Sequence, residues 1–88
     1  MKFKVGRYYR VVGHSLSTIG PVGMVVRCRS VSPYTIDSKP ISAEGVIVRP
    51  PSDPTGLRSG DVYWMSSQFS KWARVSDEEG MMYEMGET

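Results

Sequence analysis

Hydrophobic and polar positions along this 88-residue chain alternate with a period of two in several separate stretches, the spacing of half-buried β-strands. From Phe3 to Val12, the residues Phe3, Val5, Tyr9 and Val11 fall on one side, interrupted only by Arg7. Lys2, Lys4, Gly6, Tyr8, Arg10 and Val12 fall on the other. The first set is expected to face a core and the second to face water. Residues 13–23 hold three glycines and a proline and read as a loop, with Leu16 and Ile19 placed to tuck over an open end of a sheet. Met24 to Val31 alternates again: Met24, Val26 and Cys28 inward, Val25, Arg27, Arg29 and Val31 outward. A short strand is expected at Tyr34–Ile36 and a β-branched one at Gly45–Arg49. The run Pro50-Pro51-Ser52-Asp53-Pro54-Thr55-Gly56 ends the latter, because it is poor in ladder donors and rich in turn formers. Leu57 is expected to anchor the return of that loop to the core.

The stretch Gly60–Val75, GDVYWMSSQFSKWARV, organises the rest. It reads as a strand (61–65), one tight helical turn (66–69) and a second strand (70–75). Val62, Trp64, Trp72 and Val75 supply the largest apolar payload in the chain, and both tryptophans are expected in the core, where aromatic side chains dominate packing energetics. After Val75 the composition changes to SDEEGMMYEMGET. Ser76 and Glu79 have the spacing of a capping box. Gly80 follows at once and weakens a helix, so residues 77–88 read as a mobile or loosely docked tail.

Length allows one domain, residues 1–76, with a small core shared by every strand. An apolar content of 40% is enough for a compact globule and argues against disorder. The single cysteine excludes an intramolecular disulfide, and no Cys/His cluster has the spacing of a metal site. The start, MKFKVGRYYRVVG, contains no continuous apolar stretch for a signal peptide or membrane span, which points to the cytoplasm. Formal net charge is only +2, but it is segregated. Residues 1–36 carry Lys2, Lys4, Arg7, Arg10, Arg27 and Arg29 and no acid; residues 77–88 carry Asp77, Glu78, Glu79, Glu84 and Glu87 and no base. A basic surface and an acidic, Met-rich tail follow from this division.

An all-β fold is therefore expected: a single closed or nearly closed small barrel of about five strands, with one helical turn before the last. The segments VGRYYRVVG (5–13), GPVGMVVRCRSV (20–31), LRSGDVYWMSSQF (57–69) and SKWARV (70–75) carry a resemblance to the SH3-like small-barrel superfamily, which includes tudor-like and KOW-like modules. The resemblance implies the fold alone. The acidic and aromatic positions with which peptide-binding SH3 domains hold proline-rich ligands are not matched residue by residue. In its length and economy the chain also resembles a small phage-type accessory protein.

Neighbouring first and second strands would place Lys4, Tyr8, Arg10, Arg27 and Arg29 on one outward surface. With Tyr34 these are the candidate binding residues. Two ligand classes suit them. The leading expectation is a protein partner that the domain docks on and modulates, the domain itself being a monomer or weak homo-oligomer. The alternative is single-stranded DNA or RNA, since arginine and lysine interleaved with tyrosine suit phosphate contacts and base stacking. The acidic tail either folds back on the basic face and competes with phosphate or serves solubility. Met81, Met82, Tyr83 and Met85 add an adaptable apolar cluster to it. Candidates for catalysis are weak. His14, the sole histidine, has Ser15 and Ser17 nearby but no neighbouring carboxylate to orient its ring. Cys28 points inward, and Asp37, Glu44, Asp53 and Asp61 are scattered. No enzyme, cofactor or metal is expected.

Overall fold

The computed structural model describes residues 3–14, 22–36, 39–40, 42–51, 56–66 and 70–86. Among the described residues seven strands and one helix follow in order: β1 (Tyr8–His14), β2 (Val25–Val31), β3 (Thr35–Ile36), β4 (Lys39–Pro40), β5 (Ala43–Arg49), β6 (Val62–Met65), β7 (Ser70–Val75) and α1 (Asp77–Glu84). Five of the strands form one antiparallel sheet in the order β6-β5-β2-β1-β7. The β2–β5 hairpin extends through a bond from Ser32 N–H to the Ser42 carbonyl (2.9 Å) into the small β3–β4 ribbon. The expected strands are present, and the all-β class with them.

The barrel is not closed. β6 and β7 lie at opposite edges of the sheet, and no ladder joins them among the described residues. Three irregularities in register, between Val11 and Gly13, Val25 and Val26, and Cys28 and Ser30, bend the strands as β-bulges do. The sheet curls until its edges touch through side chains instead. Tyr63 of β6 meets Trp72 of β7 with ring centroids 6.2 Å apart. The Trp72 indole N–H also donates to the Ser66 carbonyl at 3.0 Å. The turn expected at 66–69 lies, for 67–69, outside the described residues; its flanks are tied by Ser70 N–H to Ser66 C=O (3.2 Å).

The concave face of the curl holds the main core: Phe3, Tyr9, Val11, Met24, Val26, Cys28, Ala43, Ile47, Met65 and Trp72, with Leu57 and Tyr63 packed against it. Phe3 sits edge-on to both Tyr9 (5.1 Å) and Trp72 (5.6 Å), the arrangement the ring quadrupole favours. Gly23, at φ 91°, leads the chain into β2 in a backbone conformation that only glycine adopts without strain. Its N–H donates to the Val11 carbonyl, while Val11 N–H donates to Met24 C=O.

A second cluster, Tyr8, Val25, Val48 and Val75 with Tyr83 against it, lies on the opposite face under α1. Four departures from the sequence reading follow, the first of which this cluster explains. Tyr8 and Val25, expected in water, are buried at 4% and 0% exposure because the helix covers their side of the sheet. Val5 is exposed because the chain turns at residues 5–6 rather than running straight from Phe3 into β1. Trp64 and Val62, expected in the core, are 58% and 49% exposed. Within β6 it is Tyr63 and Met65 that pack inward. Side-chain parity does not carry through a turn, so an even spacing between Trp64 and Trp72 fixes no common face.

The fourth departure is the tail: residues 77–84 are helix and are docked. Ser76, extended at φ −62° and ψ 150°, accepts the Glu79 N–H at 3.2 Å. Asp77, Glu78 and Glu79 fill the first turn, where carboxylates favour the helix dipole. Met85 N–H bonds Met81 C=O and Gly86 N–H bonds Tyr83 C=O, each at 3.0 Å, with Gly86 at φ 79° closing the helix. Gly80, which costs about 1 kcal/mol of propensity, is the contact point of the helix, since a Cβ at this position would overlap the Tyr8 ring.

Candidate functional site

Tyr8 and Arg10 on β1 and Arg27 on β2 project from the same face, Tyr8 standing opposite Arg27 in the ladder. Arg7, Arg49 at the end of β5 and Arg74 on β7 join them through their bonds to α1. The acidic helix lies on this arginine face. Arg7 pairs with Asp77, Arg10 with Glu79, Arg27 with Glu84 (3.1 Å) and Arg74 with Asp77 (3.4 Å). The Tyr8 hydroxyl donates to Glu84. Tyr83 is the hub: its hydroxyl donates to Glu79 (2.8 Å) and accepts from Arg10 (3.1 Å) and Arg49 (3.2 Å). The Arg49 guanidinium also sits 5.1 Å from the centre of the Tyr83 ring, within cation–π range.

These contacts set the protonation states. Burial first, and then the bond to Glu84, push the Tyr8 hydroxyl from 10.0 up to about 12, so it remains a donor at neutral pH. The hydrogen bonds from Tyr83 and Arg10 hold the Glu79 carboxyl below its ordinary 4.5. Both effects keep the helix docked in the charge state it has near neutrality. The ion pairs are half-exposed, however, and pairs of that kind stabilise little and are screened by salt.

Of the expected binding residues, the structure therefore brings together Tyr8, Arg10 and Arg27 and covers them with α1. Arg29 lies farther along β2, at the register shift between Cys28 and Ser30, and pairs with Glu44 (2.9 Å). Lys4 belongs to the other side, where its backbone N–H donates to the Tyr9 hydroxyl (2.7 Å). Tyr34, 72% exposed, precedes β3 at the far end of the β2–β5 hairpin. Arg49 and Arg74 were not singled out by sequence reasoning, and Arg7, Asp77, Glu79, Tyr83 and Glu84 entered it only as parts of the basic half and the acidic tail, not as binding residues. The signals were present in the break of alternation at Arg7 and in the Ser76–Glu79 capping spacing.

A second surface lies beside the helix. Trp64 and Val62 project from edge strand β6, opposite Glu44 and Val46 of β5. Val46 also lines a groove of about 290 Å³ between β5, the Ser59–Gly60 turn and the end of α1, with Val48, Tyr83 and Gly86 among its walls. Cys28 is 1% exposed, and burial pushes its thiol up, which suits a core side chain. The side chain of His14, with Ser15, Ser17, Asp37 and Asp53, lies outside the described residues. Among the described residues, no helix is long and apolar enough to cross a membrane. Comparison with protein-family models, curated proteins and solved structures found no match.

Proposed function

We propose that this chain is a non-enzymatic binding module that docks on a protein partner and modulates it, through the surface around β6. The observation that carries this reading is Trp64. A tryptophan 58% exposed beside a valine 49% exposed on an edge strand is a large apolar group left facing water, and tryptophan is among the residues that dominate interface energetics. Its surroundings suit an interface. The Arg29–Glu44 ion pair adjoins Trp64 through Glu44 in the ladder and supplies a polar rim. Val62 leads through Val46 into the groove beside α1, where one apolar side chain of a partner fits. Tyr34, also exposed, lies toward the tip of the β2–β5 hairpin. Tyr8, Arg10 and Arg27 leave the docking surface, because α1 occupies them.

Affinity capture with full-length wild-type protein and with Trp64→Ala tests the reading. The expected result is a partner held by wild type and lost by the variant, while Trp72 emission shows an unchanged core. Equal capture by both proteins contradicts it.

A further inference from the structure

We propose that the sheet face under α1 is a second binding site, that its ligand is single-stranded nucleic acid, and that α1 is a displaceable cover that imitates that ligand. The proposal does not rest on the β6 docking surface, although the two share the α1 wall of the groove. Five arginines, Arg7, Arg10, Arg27, Arg49 and Arg74, converge on the strip that α1 covers. Asp77, Glu79 and Glu84 meet four of them and Tyr83 meets the fifth. Guanidinium groups bind carboxylate and phosphate with the same fork geometry, so the helix holds anions where a phosphodiester backbone would place its own. Between the arginines lies the Tyr8 ring, covered by the flat backbone of Gly80 with no room for a Cβ. A ring that accepts a flat group against its face, flanked by cations, is the platform on which a base stacks.

The cover is built to leave. It is eight residues long, below the length at which a helix holds itself together in water. Gly80 is its one buried residue, and Met81, Met82 and Met85 face outward. It joins β7 directly through Ser76, so it can swing away without disturbing the sheet ladder. Until a competing polyanion arrives, α1 shields Tyr8, Val25, Val48 and Val75, which sets the covered state as the resting one.

Two full-length variants open the face in different ways. Gly80→Ala forces a methyl against the Tyr8 ring and leaves every charge in place. The triple variant D77N/E79Q/E84Q removes the anions and leaves the packing. The probe is a short, labelled, mixed-sequence DNA single strand, with the ring resonances of core Phe3 and Tyr9 confirming the sheet. Both variants are expected to bind it at least about tenfold more tightly than wild type. About four phosphate contacts make the affinity fall on the order of tens-fold between ~50 and ~200 mM salt. Adding Arg10→Ala and Arg27→Ala to either variant is expected to cancel the gain. In wild type, saturating strand is expected to shift the Gly80 resonances toward those of an undocked, unfolded segment. The proposal is overturned if the triple variant binds no better than wild type. It is equally overturned if polyglutamate binds as tightly as the oligonucleotide, which would make the face a site for acidic protein segments.

Discussion

Tyr8 and Gly80 show how much one missing methyl decides at the residue scale. A side chain larger than hydrogen at position 80 overlaps the Tyr8 ring, and with it the helix cannot seat. Gly45 does comparable work inside the sheet, where a Cβ would overlap Val26 and the Arg27 carbonyl. Gly45→Ala should therefore cost about 1–3 kcal/mol, measured by denaturant unfolding. The two tryptophans should behave oppositely in the same assay. Trp72, 7% exposed and packed on Phe3 and Tyr63, should lose about 3–5 kcal/mol on change to alanine. Trp64, at the surface, should lose about 1 kcal/mol or less. The sequence told these two apart poorly, because alternation assigns faces only within an unbroken strand. Inside β1 and β2 it placed Tyr9, Val11, Met24, Val26 and Cys28 correctly in the core. Across the turn between β6 and β7 it had no authority.

At the scale of the element, α1 is the instructive case. Cap spacing and acidic first turn argue for a helix and Gly80 argues against; tertiary packing on Tyr8 settles the balance. Local sequence could not weigh a contact between residues 72 positions apart, although the opposite charges of the two ends of the chain announced it. Gly80→Ala should thus raise the intrinsic helicity of the segment and yet detach it, read as loss of the Tyr83 contacts by NMR. Docking should also have acid and alkaline limits. Glu79 titrates lower in the folded state than its ordinary 4.5, so its contribution is complete above that value and is lost as pH falls through the lowered one. Tyr8 titrates higher when folded; its contribution is complete below about 10 and is lost as pH rises toward about 12. A pH series of Tyr83 shifts and of tyrosinate absorbance should show a docked plateau between these limits.

At the scale of the whole molecule, a curled five-stranded sheet presents two faces with different duties. The concave face is an ordinary aromatic and aliphatic core; the convex face is cationic and neutralised by the chain's own C-terminal helix. The five strands of the main sheet, their order in sequence and most inward residues of the early strands were legible in the alternation, whereas β4 of the small ribbon was not. Closure was not, since bulges and the gap between β6 and β7 depend on backbone geometry that the pattern of side chains does not encode. The central claim, that the acidic helix lies on the arginine face with Gly80 flush on Tyr8, is tested most directly by the chemical shifts of the Gly80 α-protons in the full chain. Ring current from Tyr8 should move them well upfield at neutral pH and low salt, and the Tyr8→Leu variant should return them to ordinary values. Gly80 α-protons at ordinary positions in wild type, unmoved by Tyr8→Leu, would contradict the account.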